Sequence, residues 1–393
     1  MKTGTVQLSY LSKVVQSLKP SGIRKFFDLA SQMEGVISLG VGEPDFITSW
    51  NVCEASLNSL ESGYTGYTSN VGMLELREEI STYLQHRFKL SYAPNDELII
   101  TVGASQAIDI ALRTILNPGD EVLIVEPSFV AYAALVSLAG GVPVPIRTNA
   151  ETEFKLFPEQ LEEKITDKTK ALFLCFPNNP TGTTMSSEEL KVIAKLVIKY
   201  DLFVLSDEIY AELSYDNEHT SIAKFQGMKE RTIYISGFSK AFAMTGWRLG
   251  YAAGPKEIIE AMLKIHQYTV MCASTMAQHG ALEALRSGMD DVAEMVKSYR
   301  QRRNFLVKSF QEIGLDCHLP GGAFYVFPSI QRTGLTSEQF AEQLLHEEKV
   351  AVVPGHVFGE GGEGHIRCSY ASSLKELQEA MKRIERFLER NFQ

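Results

Sequence analysis

From about residue 97 the chain alternates short apolar runs with longer stretches whose apolar residues recur at helical spacing. The runs Leu98–Val102, Glu121–Val125, Ala171–Phe176, Leu202–Ser206, Thr232–Ser236 and Arg248–Ala253 read as strands, with helices such as Ser105–Leu116 and Ser187–Tyr200 between them. Ser186 stands three positions before Glu189, the spacing of a capping box. Asn117-Pro118-Gly119-Asp120 is a turn, because it joins a proline to a glycine between two periodic segments. Strands that are apolar throughout are buried on both faces. The pattern therefore predicts an α/β fold, a mostly parallel sheet with helices on each side.

After about residue 290 the pattern changes. A charged helical stretch, Asp290–Glu312, precedes a strand-like GGAFYVF at Gly321–Phe327. A helix at Ser337–Glu348, short strands at Val350–Val353 and Gly364–Ser369, and a terminal helix follow. This reads as a smaller α+β C-terminal domain appended to the large one. We expect residues 1–45 to pack with the small domain, 46–287 to form the large domain and 288–393 the small one.

Composition narrows the partners. With 393 residues, 45% hydrophobic and 22% charged, the chain can bury a sizeable core. The 38 Lys and Arg against 48 Asp and Glu leave a net charge of −10, which argues against nucleic acid or an anionic membrane as main partner. Any phosphate must then be held by a local site. Cys53, Cys175, Cys272, Cys317 and Cys368 are scattered without a C-x-x-C pair, so neither a disulfide framework nor a zinc site is indicated. The N-terminus lacks the apolar core of a signal peptide, and no apolar run approaches the roughly 18 residues that span a bilayer. A cytoplasmic protein with no metal is the expectation.

In doubly wound sheets ligands bind beyond the carboxyl ends of strands, so the residues just after the apolar runs carry the information. Gly103-Ala104-Ser105 opens a helix, where small residues let a phosphate reach backbone amides; alone it reads more readily as a plain tight turn. Asn179 lies in Pro177-Asn178-Asn179-Pro180-Thr181-Gly182, a turn that can hold a donor over the sheet edge. Asp207 by itself reads as a helix cap, yet a carboxylate there can also pair with a cationic ring nitrogen, with Tyr210 three positions on. Lys240 stands among Phe238, Ala241, Phe242 and Ala243. By itself it reads as a snorkelling lysine, but desolvation favours the neutral amine that Schiff-base chemistry needs. Arg248 reads as an ion-pair partner or as a bidentate phosphate fork.

A lysine for a Schiff base, an acidic partner for a ring nitrogen and a phosphate cradle are what pyridoxal 5'-phosphate (PLP) requires. The S-x-x-S-K run ending at Lys240, Arg248 eight residues later, the NNPTG of Asn178–Gly182 and the D-E-I-Y of Asp207–Tyr210 occur in order. On these motifs the chain resembles, over nearly its whole length, the fold-type I PLP enzymes of the class I aminotransferase family. It is most similar to the bacterial branch containing aspartate, aromatic and N-acetyl-diaminopimelate aminotransferases. The resemblance implies that Lys240 forms the Schiff base and acts as proton-transfer base, and that Asp207 pairs with the ring nitrogen. It implies that Asn179 and Tyr210 bond the ring's phenolic oxygen and that Phe129 stacks on the ring. Ala104, Ser105, Ser239 and Arg248 would hold the phosphate. Tyr67 would reach the phosphate of a neighbouring subunit in a homodimer with shared active sites. Arg367 would grip the substrate α-carboxylate beside the backbone of Gly40.

The same resemblance implies amino-acid and 2-oxo-acid substrates, 2-oxoglutarate among the acceptors, exchanged in a ping-pong cycle. This chain departs from it at Ser105, where some aspartate-specific members carry a lysine, and at Gly237, where some relatives carry a phosphate-binding serine that Ser236 would have to replace. Ile23 is a candidate apolar wall of the pocket. A carbon–sulfur lyase or aminocyclopropane-carboxylate-synthase-like enzyme shares the frame, and a PLP-binding regulatory protein is the non-enzymatic alternative. A nicotinamide dehydrogenase would need a G-x-G-x-x-G after an early strand, and none follows one here. The amino donor stays open.

Overall fold

The computed structural model describes residues 10–18, 20, 22 and 33–392, and the Ile23 wall lies outside them. In chain order the strands are β1 (Ile37–Ser38), β2 (Leu98–Thr101), β3 (Glu121–Glu126), β4 (Val142–Arg147), β5 (Thr169–Cys175), β6 (Phe203–Asp207), β7 (Thr232–Gly237), β8 (Gly250–Ala253), β9 (Tyr325–Val326), β10 (Val350–Ala351), β11 (Val353–Pro354) and β12 (Ile366–Ser369). Strands β2 to β8 form one sheet, ordered β2-β8-β7-β6-β5-β3-β4. Neighbours are parallel except at β8, which runs antiparallel to β2 and β7.

Side chains alternate across a strand, so a strand covered on both faces must be apolar at every position. Ile99, Ile124, Phe173, Leu205 and Ile233 face one way, into Ala107, Ile108 and Leu112 of helix Gly103–Ile115 and Ile259 and Met262 of helix Lys256–Thr269. Leu123, Leu172, Leu174 and Val204 face the other way, into Leu190, Ile193 and Val197 of helix Ser187–Lys199. That helix begins with the expected capping box: Glu189 N donates to Ser186 Oγ at 3.2 Å and Ser186 N to Glu189 Oε2 at 2.7 Å.

Beyond the sheet, β11-β12-β9 make a small antiparallel sheet. Helices Met289–Glu312, Ser337–Glu348 and Leu374–Asn391 cover it through Tyr299, Phe310, Phe340, Leu344 and Phe387. The same apolar cluster includes Tyr210, so the small sheet is packed directly against the site. Strand β1 pairs in parallel with β10, Ile37 opposite Val350, which fixes the approach of the N-terminal segment.

Four details differ from the pattern reading. Strand β4 was not expected, because Pro143 and Pro145 interrupt it; it is the sheet's edge, where a missing N–H costs no ladder bond. Strand β8 begins at Gly250, because Arg248 adopts a left-handed turn with φ of 53°. Only Tyr325 and Val326 of the GGAFYVF run pair as a strand. Val350–Val353 divides into β10 and β11, which belong to separate sheets. Among the described residues no helix is long and apolar enough to cross a membrane.

Candidate active site

The reversal of β8 creates one end of the site. Because β8 is antiparallel, its first residue, Gly250, lies opposite Thr101 at the end of β2 and Gly237 at the end of β7. The segments leaving β2, leaving β7 and entering β8 therefore meet at one point. Only glycine fits there: a Cβ on Gly250 would lie 2.6 Å from the Ala104 amide nitrogen, and one on Gly103, at φ +75°, 2.7 Å from Arg248 Nη2. Helix Gly103–Ile115 points its free N-terminal amides into the same space. Amides at a helix start beside a guanidinium make an anion cradle. Arg248 is exposed at its mouth, with Nη1 donating to the Thr245 carbonyl at 3.1 Å. The position at Gly237 has no room for the serine of some relatives, since a Cβ would lie 2.9 Å from Gly250 Cα. Ser236 does not replace it; its hydroxyl donates to the Glu208 carbonyl at 3.3 Å.

A cavity of about 710 Å³ extends from this cradle. Ala104, Ser105, Phe129, Asn179, Asp207, Tyr210, Ser239, Lys240, Arg248 and Arg367 all line it. Gly40 joins through its carbonyl, which accepts from Arg367 Nη2 at 2.6 Å. Tyr67 does not: it is 81% exposed on the outer surface. Lys240, in the turns after β7, donates from Nζ to the Gly42 carbonyl at 2.6 Å. Burial lowers its pKa from 10.5 to about 8, with Arg367 and Arg248 pushing the same way and Glu43 and Asp207 opposing.

Asp207, at the end of β6, is buried. Tyr132 donates to its Oδ2 at 2.7 Å and the Ile209 amide to its Oδ1 at 3.2 Å. Burial lifts its pKa to about 6, and those two hydrogen bonds partly offset the rise. Arg367, on β12, is 2% exposed. Its Nη1 donates to Asn179 Oδ1 at 2.9 Å, and its guanidinium lies over the rings of Tyr325 at 4.4 Å and Phe358 at 5.0 Å. Both hydrogen-bond partners are neutral, and Nε has none. A buried cation so placed is set to receive an anion.

The class I and II aminotransferase model matches residues 34–384. The chain belongs to that family. This aminotransferase is 66% identical over 97% of its length to the "Putative aminotransferase YugH" of Bacillus subtilis, covering 98% of that protein. It is 47% identical to an aspartate aminotransferase of Pyrococcus abyssi, covering 96% of this chain and 98% of the relative. The crystal structure of an aromatic aminotransferase from Pyrococcus horikoshii superposes with a TM-score of 0.90 at 46% identity, covering 94% of this chain and 99% of that one. Relatives named for different donors thus stand equally near.

The aminotransferases of this family depend on PLP, and the residues present fit it. An amine of lowered pKa, a buried carboxylate, two phenolic or amide groups and an anion cradle share one cavity with the ring of Phe129. Tyr132 and Tyr325, two hydroxyl-bearing residues of this enzyme's cavity, were not anticipated. Tyr132 stands three positions after Phe129 on helix Ala131–Leu138, and Tyr325 lies in a run that reads as plain strand. Only the three-residue spacing of Phe129 and Tyr132 offered a signal.

Proposed function

We propose that this aminotransferase moves the amino group of an L-amino acid to a 2-oxo acid, with 2-oxoglutarate as acceptor, in a ping-pong cycle. The observation that carries the reading is a lysine amine near neutrality, Lys240, in one cavity with a buried arginine, Arg367, whose Nε is free. Lys240 would be the residue that holds the cofactor covalently. Arg248, Ser239 and the amides of Ala104 and Ser105 would hold its phosphate, Phe129 its ring face, Asn179 and Tyr210 its phenolic oxygen, and Asp207 its ring nitrogen. When bound there, the cofactor would supply an electron sink for the substrate's Cα–H bond.

Arg367 orients the substrate through its α-carboxylate, with the Gly40 carbonyl and Asn179 fixing the guanidinium. Neutral Lys240 Nζ takes the Cα proton and returns it on the cofactor side. Asp207 stays ionised to keep the ring nitrogen protonated, and Tyr132 holds that carboxylate in place. The first 2-oxo acid leaves, the amino group remains on the enzyme, and a second 2-oxo acid takes it away. The acceptor is proposed from the resemblance alone.

A homodimer completes the proposal through Tyr67. Its loop is firmly held: Thr275 Oγ1 donates to the Gly66 carbonyl at 2.7 Å, and Gln278 Nε2 to Thr68 Oγ1 at 3.1 Å. A rigidly presented tyrosine with its ring in solvent, on a face that also exposes Tyr64, suits contact with a second copy. The test is to mix holoenzyme with single amino acids, then measure visible absorbance and released 2-oxo acid. Donors should bleach the absorbance and yield stoichiometric 2-oxo acid, and Lys240→Ala should do neither. Ammonia or thiol release in place of 2-oxo acid would sink the reading.

A further inference from the structure

We propose that Tyr325 is a positioning residue that ties the carboxylate clamp, Arg367, to the cofactor-side hydroxyl of Tyr210. The inference rests on the reading of those two residues given above. Tyr325 sits on β9, where it pairs with Ser369 of β12. Arg367 lies two residues before Ser369, hence on the same face and diagonal to Tyr325. That register brings the guanidinium to 4.4 Å from the Tyr325 ring centroid. The ring is 1% exposed, packed edge-on against Tyr210 and at a tilt against Phe324, so it cannot swing away from the clamp.

The other end of the same side chain does different work. Tyr325 Oη lies 3.0 Å from Tyr210 Oη. A phenol has one proton to donate. If Tyr210 gives its proton to the cofactor's phenolic oxygen, Tyr325 must be the donor in the tyrosine pair. A donor behind a donor polarises it and strengthens its hydrogen bond. Gly42 leaves space for this hydroxyl: a Cβ there would lie 3.1 Å from it, and the Gly42 carbonyl is the acceptor for Lys240. One residue thus has a face for the substrate clamp and a hydroxyl for the cofactor.

Two substitutions in the holoenzyme separate the roles. Tyr325→Phe keeps the ring under Arg367 and deletes only the hydroxyl. The pH midpoint of the cofactor's visible absorbance, without substrate, should rise by about half a unit, because Tyr210 then stabilises the phenolic oxygen less well. KM for the amino donor should stay within about threefold of wild type, since the cation–π contact survives. Tyr325→Leu should show the same spectral shift and raise KM on the order of tenfold, through loss of the ring face. Because Tyr325 is a core residue, Phe358→Leu serves as a control that leaves the hydroxyl in place. It removes the other ring over Arg367, 5.0 Å away, and should raise KM with no spectral shift. A Phe variant with an unmoved spectral midpoint, or one whose KM rises as much as that of Leu or Phe358→Leu, overturns the proposal. Wild-type enzyme that fails to transaminate would instead overturn the functional reading beneath it.

Discussion

Asp207→Asn tests the electrostatics of the site most directly. In the cofactor-free fold, burial lifts this carboxyl from 3.8 to about 6. At roughly 1.4 kcal/mol per pH unit, its ionised form therefore destabilises the protein by about 3 kcal/mol. The folded pKa lies above the unfolded one, so stability is fully present below 3.8 and lost as pH rises through about 6. Asparagine has the same shape and no charge. Its Oδ1 can accept from the Ile209 amide and its Nδ2 can donate to Tyr132, so the local bonds survive. Cofactor-free Asp207→Asn should be more stable than wild type by about 1–3 kcal/mol at pH 7, and the gain should shrink as pH falls towards 4. In the holoenzyme the sign reverses. Removing one partner of a buried charge pair costs roughly 3–5 kcal/mol, which is about 10²–10⁴ in kcat if the loss falls on the transition state. Urea unfolding of cofactor-free protein across pH, alongside steady-state rates, reads both effects. A stability gain that does not depend on pH, or a kcat within tenfold of wild type, would refute the reasoning.

Three further outcomes follow from the same geometry. Cofactor uptake by cofactor-free enzyme needs the neutral Lys240 amine, so its rate should climb with pH up to about 8 and then level; a flat stopped-flow profile between pH 6 and 8 would contradict the lowered pKa. Arg367→Lys loses the planar fork and should raise donor KM roughly 10- to 100-fold, measurable in steady state, while leaving cofactor affinity near wild type. Gly250→Ala would place its Cβ 2.6 Å from the Ala104 amide. It should weaken cofactor binding at least about tenfold, by distortion of the cradle worth about 1–3 kcal/mol, as read by absorbance titration.

The site was legible where chemistry departs from the surrounding pattern. Asn179, Asp207 and Lys240 stand at or just past the ends of largely apolar strands, so each interrupts a rule that most of its neighbours obey. Tyr132 and Tyr325 obey the rule. They are aromatic residues among apolar ones, and only their hydroxyl contacts, to Asp207 and Tyr210, separate them from ordinary core. The parallel strands were visible because each had a helix after it, but nothing in the period-two pattern of β8 states its direction. That direction is what assembles the anion cradle, so the residues of the cradle could be named while the reason for their meeting could not. Arg248 shows the same limit. Read as the first residue of a strand, it is instead a turn residue with positive φ, which frees its guanidinium to face Gly103. Tyr67 has no signal within one subunit, because its ring contacts nothing that would distinguish it from a surface tyrosine.

The charges explain how a chain of net −10 can handle anions. Lys240, Arg248 and Arg367 line a cavity that also carries Glu43 and Asp207, a local excess of one positive charge. Each cation has a distinct place: Arg248 open at the cradle mouth, Lys240 between the two arginines' fields, Arg367 buried under Tyr325 and Phe358. Their mutual repulsion is one reason why Lys240 gives up its proton so readily. Binding a phosphate at one end and a carboxylate at the other would relieve that repulsion and raise the amine's proton affinity when Lys240 acts as base. Anions bound at the two ends would thus adjust the amine between them. Ser105, Ile108 and Thr245 give the same cavity neutral surfaces as well.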